Sequence, residues 1–210
     1  MPAGSSFTTA IDLRLGLPVA VGGPYVCGAT LDVYASHALC CKRKAGRGIR
    51  TSQVNTRIKA ALADAGNLSV LEPSGLTRQE GKRPDGATVL PYEEGLPMAW
   101  NATLIHTCAP SYLRVSAHEA GVAASAAEER KRLKYSSLSG RVVFYPVDLE
   151  TLGAFGRSAS ELFDTIARRV EELSGDIGAR ARLHRQIAAA VQLGTRRASL
   201  RPEAADFCLT

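Results

Sequence analysis

Three apolar runs constrain this chain more than any other feature. Residues 87–92 follow directly on Gly81-Lys82-Arg83-Pro84-Asp85-Gly86, and residues 97–105 follow after a short loop. Two strand-like runs so close together read as a hairpin. The third run, Arg141-Val142-Val143-Phe144-Tyr145-Pro146-Val147, is apolar almost throughout and reads as an internal strand. Ser69-Val70-Leu71-Glu72 adds a short strand ahead of them, ended by Pro73-Ser74-Gly75. Between and around these runs the apolar period changes to that of a helix. Val54, Ile58, Ala61 and Leu62 make one stripe over residues 51–65. Alanines 120, 123, 124 and 127 make a small-residue face over residues 120–138. Ser158-Ala159-Ser160-Glu161 has the pattern of a capping box, opening a helix with Leu162, Ile166, Val170 and Leu173 on one side. A last helix over residues 178–193 turns Leu183, Ile187 and Val191 inward. The order helix, strand, strand, strand, helix, strand, helix, helix predicts an α/β (α+β) fold, a mixed sheet flanked by helices.

The stretches outside this pattern set the expected boundaries. Residues 1–24 are rich in Gly, Pro, Ala and Ser around a short apolar piece, Ile11 to Val21, and read as a loose arm or a short helix. Residues 25–50 read as a separate cysteine- and histidine-bearing segment with a basic loop, residues 51–200 as the main domain, and residues 201–210 as a frayed tail. The chain has 210 residues and a formal net charge of +6, which favours a polyanionic partner. The charge is concentrated: no acid lies between Asp32 and Asp64, where Lys42, Arg43, Lys44, Arg47 and Arg50 cluster. Those five residues read either as a solvated helix face or as a nucleic-acid contact. No secretory signal and no apolar run of membrane-spanning length is visible. Five cysteines, an odd number, do not suggest a secreted disulfide framework. A nuclear or cytoplasmic location, not a secreted one, is expected.

Two constellations carry chemistry. The first is Asp85 at the mouth of the hairpin with Asn101 inside the second strand. Oxygen ligands on adjacent strands can hold a hard divalent cation, the layout of a metal-dependent nuclease site. Pro-Asp-Gly is also a common turn, and that reading stays open. The second is Cys27, His37 and Cys41, two thiols and an imidazole that could grip zinc. They are one donor short of a closed site, and Cys40 points away from its neighbour Cys41 in either regular structure. A buried apolar cluster with an incidental histidine is the alternative.

Taken in order, these motifs resemble a known family. They are Cys27-Gly28-Ala29 with His37-Ala38-Leu39-x-Cys41, Glu72-Pro73-x-Gly75-Leu76, Gly81-Lys82-Arg83-Pro84-Asp85-Gly86, Trp100-x-x-Thr103, Ser111-Tyr112, Lys131-x-x-Lys134-Tyr135 and Glu150-Thr151-x-Gly153. The set is similar to the C-terminal region of non-LTR retrotransposon reverse-transcriptase polyproteins, a zinc knuckle followed by a restriction-like PD-(D/E)xK endonuclease. The resemblance implies a terminal fragment of such a polyprotein, without its reverse transcriptase, acting on DNA or RNA. It implies a Mg²⁺- or Mn²⁺-dependent site with Asp85 as the first metal acid and Glu72 as a helper acid. Asn101 falls where relatives carry the second acid, and Thr103 falls where they carry the lysine. The lysine is then expected on the following helix, as Lys131 or Lys134. Tyr25 falls where relatives carry the first knuckle cysteine, so zinc binding is expected to be incomplete. Replacing a metal carboxylate by an amide keeps an oxygen but removes a charge. Each ~1.4 kcal/mol of lost stabilisation costs tenfold in rate, so the implied endonuclease is expected to be weak or inactive. The alternative is an inactive nucleic-acid-binding relic.

Overall fold

The structure, a computed structural model, describes residues 6–25, 27–41, 44–76 and 83–199. Helices and strands follow in the order α1 (Ser6–Leu15), β1 (Gly23–Pro24), β2 (Thr30–Leu31), α2 (Ser36–Cys40), α3 (Lys44–Asp64), β3 (Ser69–Leu71) and β4 (Gly86–Thr88). They continue as β5 (Met98–Ile105), α4 (Leu113–Ser116), α5 (Val122–Lys134), β6 (Val143–Glu150), α6 (Arg157–Ser174) and α7 (Ala179–Ser199).

The main sheet has the order β3-β4-β5-β6. Its first three strands are antiparallel neighbours, and β6 runs parallel to β5 with Thr103 opposite Asp148. A parallel pair needs a crossover, and α5 supplies it. Side chains alternate across the sheet. Trp100, Ala102 and Leu104 of β5 and Val147 and Leu149 of β6 face the largest core, which α3, α6 and α7 close with Val54, Ile58, Leu62, Phe163, Ile166, Ile187 and Val191. The opposite face carries Ala87, Ala99 and Ile105 and is covered by α5 and the segment after it, through Ala123, Ala124, Tyr135 and Leu138. Asn101, Thr103, Asp148 and Glu150 belong to this second face by the same alternation. The expected mixed sheet flanked by helices is therefore present, in the expected order.

Several boundaries differ from expectation, each for a local reason. The basic stretch is not a loop, because α3 already begins at Lys44. Nor is β4 the six-residue strand expected; it ends at Thr88, whose hydroxyl donates to the Leu90 carbonyl and accepts the Met98 amide. Val89 and Leu90 consequently lie exposed. At its far end α7 runs on to Ser199, because Gly194 does not stop it but lets it lie against α3. A Cβ at Gly194 would collide with the Arg50 carbonyl. Leu173 lies off its predicted stripe, 55% exposed at the end of α6.

A smaller lobe precedes the sheet. The β1–β2 ladder and α2 bury Tyr25, Leu31, Ala38, Leu39 and Cys41 together with Ala198 of α7. Within the segment expected as a loose arm or a short helix, α1 is a regular helix.

Candidate metal cluster and the polar face of the sheet

The small lobe brings Cys27, His37 and Cys41 together. One ligand atom from each lies within 4.8 Å of the other two, and Cys27 Sγ stands 2.9 Å from His37 Nε2. Tetrahedral zinc, with bonds of about 2.3 Å to sulfur and 2.0 Å to nitrogen, separates its ligands by about 3.5–3.8 Å. Small adjustments would let the trio hold a metal ion. Among the described residues no other group of three or more His, Cys, Asp or Glu side chains converges in this way. Cys40 is outside the trio, half-buried, and its thiol is pushed up mainly by burial. Backbone geometry presents the ligands: Tyr25 donates its amide to the Ala29 carbonyl and accepts from the Gly28 amide, turning Cys27 out of the hairpin.

Arg50 corrects the expected nucleic-acid surface. It is 4% exposed, and its guanidinium donates to the carbonyls of Leu39 and Cys41, the latter at 2.8 Å. The residue ties α3 to the ligand-bearing segment and faces no solvent. Lys42 and Arg43 lie outside the described residues. Lys44 and Arg47 lie on the first turns of α3, with only their backbone described.

The second site lies on the α5 face of the sheet. Asp85 Oδ2 accepts the Ala102 amide at 2.7 Å, across the edge that β4 leaves open. Burial pushes the Asp85 carboxyl up, opposed in turn by the Ala102 amide, by Lys131 and by Asn55. From α5, the ammonium of Lys131 reaches the sheet, donating to the Asn101 carbonyl at 2.7 Å and pairing with Asp148 Oδ1 at 2.8 Å. Asp148 is fully buried. Desolvation raises its carboxyl, against the attraction of Lys131, and lowers Lys131, against the attraction of Asp148. Of the two candidate lysines, Lys131 thus stands within the field of Asp85. Lys134 is exposed, its Nζ 5.2 Å from the Tyr135 ring centre. Glu72 is exposed and pairs with Arg83 at 3.0 Å; its backbone amide bonds the Asp85 carbonyl. Asn101 is partly buried beside these groups.

The residues do not fit Mg²⁺ or Mn²⁺. Such an ion favours carboxylate and water oxygens. Here one oxygen of Asp85 holds a backbone amide, residue 101 brings no charge, and the acids around it are already paired, Glu72 with Arg83 and Asp148 with Lys131. Asp148 was missed in the sequence. Its signal was the alternation Val147-Asp148-Leu149-Glu150, which sets two acids on one face of a buried strand. Asn55 was missed as well; it accepts from Trp100 Nε1 at 3.1 Å and helps to hold Asp85 charged. A helix stripe gives no hint of that role. Tyr135 also belongs here, donating to the Arg83 carbonyl and stacking on Phe144. Burial and then Asp85 push its phenol up to about 12.

Compared with known proteins, the chain matches no family model and no curated sequence. What fold and sites define is a mixed α/β protein with a Cys-His-Cys cluster that could hold a metal ion. Among the described residues no helix is long and apolar enough to cross a membrane.

Proposed function

We propose that this chain is a nucleic-acid-binding domain of retroelement origin, built on a restriction-like scaffold whose cleavage site is silent, with zinc at Cys27, His37 and Cys41. The observation that carries the reading is Lys131. It comes from the helix after the hairpin, where the lysine displaced from position 103 is expected, to the strand that carries Asn101. There it is committed to Asp148 and to the Asn101 carbonyl. The electrostatic reach of Lys131 to Asp85 supports the same reading. The silent site follows from charge. Asn101 supplies no anion, and the ammonium serves as counter-ion where an active site would keep a divalent ion. Two thiolates and an imidazole favour zinc over harder ions. The net charge of +6 and the basic residues Lys42, Arg43, Lys44 and Arg47 favour a phosphate backbone as partner.

The test has two parts. Binding to duplex DNA, titrated against salt, is expected to weaken steeply as salt rises. Binding that is absent or independent of salt overturns the DNA reading. Plasmid nicking in Mg²⁺ or Mn²⁺ is expected to be absent for the natural chain. Asn101→Asp is expected to create it, and Asp85→Ala added to Asn101→Asp to remove it. Nicking by the natural chain that Asp85→Ala abolishes would establish a working endonuclease instead.

A further inference from the structure

The Cys-His-Cys trio is one donor short of a closed tetrahedral site. Among the described residues no further Cys, His, Asp or Glu joins it. One other polar group is sealed into the same small core. Tyr25 is 4% exposed, and its ring stands edge-on to the His37 imidazole with centres 5.6 Å apart. Its hydroxyl is buried and has no hydrogen-bond partner. A buried hydroxyl without a partner is costly, and such groups often mark an ion or water site. Tyr25 packs in that core against Cys41 and Cys27, both members of the trio, and its ring meets the third member, His37. Arg50 donates to the carbonyl of Cys41. The orphan oxygen thus belongs to the small core that brings the metal cluster together.

We infer that the Tyr25 phenol oxygen is the fourth donor to the metal, giving an S₂NO site closed by the protein. The inference rests on the reading that Cys27, His37 and Cys41 hold a metal. The hairpin supports the geometry. Tyr25 precedes Cys27 by two residues, and its backbone carbonyl accepts the Gly28 amide, so one turn presents both side chains. The guanidinium of Arg50 offsets the negative charge that two thiolates bring. An oxygen donor would leave the site weaker for zinc than a third thiolate, and more tolerant of harder ions such as Co²⁺.

The full chain is prepared metal-free and titrated with Zn²⁺ against a chromophoric chelator, and with Co²⁺ while its absorption is followed. Tyr25→Phe and Tyr25→Cys are compared with the natural chain. Tyr25→Phe removes the orphan hydroxyl, so the metal-free variant is expected to be at least as stable as the natural protein. Its zinc affinity is expected to fall by about tenfold or more. A merely structural hydroxyl would give the first effect without the second. Tyr25→Cys is expected to tighten zinc binding and to add a third sulfur to the metal, seen as stronger sulfur-to-cobalt charge transfer and by X-ray absorption. Should Tyr25→Phe bind zinc as tightly as the natural chain, or Tyr25→Cys keep two sulfurs on the metal, the role of Tyr25 is overturned. Should Tyr25→Phe fail to fold, the sulfur count in Tyr25→Cys decides. A natural chain that binds no zinc overturns the metal reading itself, a different outcome from these.

Discussion

Lys131 shows how much one side chain settles. Its ammonium and the Asp148 carboxylate lie 2.8 Å apart, with Asp148 fully buried. Removing one partner of such a pair leaves an uncompensated charge, at a cost of about 3–5 kcal/mol. Lys131→Met is therefore expected to destabilise the protein by that amount in urea unfolding. The double change Lys131→Met with Asp148→Leu is expected to recover most of it. Strictly additive losses would show that the two charges do not depend on each other. Asp85 gives a second prediction, in pH. Burial raises its carboxyl above the ordinary value of 3.8. An acid raised in the folded state binds its proton more tightly folded than unfolded. Its contribution to stability is then fully present below the ordinary value and is lost as pH rises through the folded one. Asp85→Asn, which stays neutral, is expected to gain on the natural protein as pH rises above the ordinary carboxylate value, as read from urea midpoints. A difference that stays flat or reverses would mean that the Ala102 amide and the attraction of Lys131 outweigh burial.

At the scale of elements, helix α6 is capped by another helix. Its sequence carries a capping-box pattern, yet the first helical residue is Arg157, the cap position is Gly156, and no side chain of its own closes the turn. The orphan amides of a helix start need acceptors. Glu128 of α5 supplies them, taking the Ser158 amide at 2.8 Å on Oε2 and the Ala159 amide at 2.9 Å on Oε1. Its negative charge also suits the positive end of the helix dipole. Gly156 is required by the close approach, since a Cβ there would fall inside the Glu128 carboxylate. Glu128→Ala is expected to cost about 1–3 kcal/mol and to speed amide exchange at Ser158 and Ala159. Glu128→Gln, which keeps one acceptor oxygen, is expected to cost less. Unchanged exchange at those two amides would show that α6 is capped in another way. The start of the helix was legible in the sequence, but the expected capping box does not form, and the cap that replaces it, thirty residues away, was not legible.

The molecule as a whole joins two lobes through the crossing of α3 and α7. The backbones approach so closely at Gly194 that a side-chain carbon would strike the Arg50 carbonyl, while the guanidinium of Arg50 holds the carbonyls of Leu39 and Cys41. The core of the sheet and the Cys-His-Cys cluster thus meet at one residue. Gly194→Ala is expected to cost about 1–3 kcal/mol by forcing the helices apart. It is also expected to weaken zinc binding, measured by chelator competition. Lower stability with unchanged zinc affinity would mean that the cluster is held independently of the crossing.

Periodicity determined the types and order of the main-domain elements around the four-stranded sheet, but not α1, β1, β2 or α2, because a buried strand and an amphipathic helix leave different repeats in the chain and such short pieces leave none. It placed Val54, Ile58, Leu62, Leu183, Ile187 and Val191 in the core, and motif spacing gathered Cys27, His37 and Cys41. These features depend on residues near one another or on a repeat, and local sequence records both. Tertiary structure alone decided that Arg50 turns inward, that Lys131 and not Lys134 reaches the sheet, and that the Asp148 carboxylate receives it together with the Asn101 carbonyl. It also decided that Glu128 caps a helix on another segment. Each of those outcomes depends on the direction of a side chain across elements far apart in the chain, and the low dielectric between them makes an unpaired polar group costly. Pairing inside that space, rather than propensity along the chain, selects the partner.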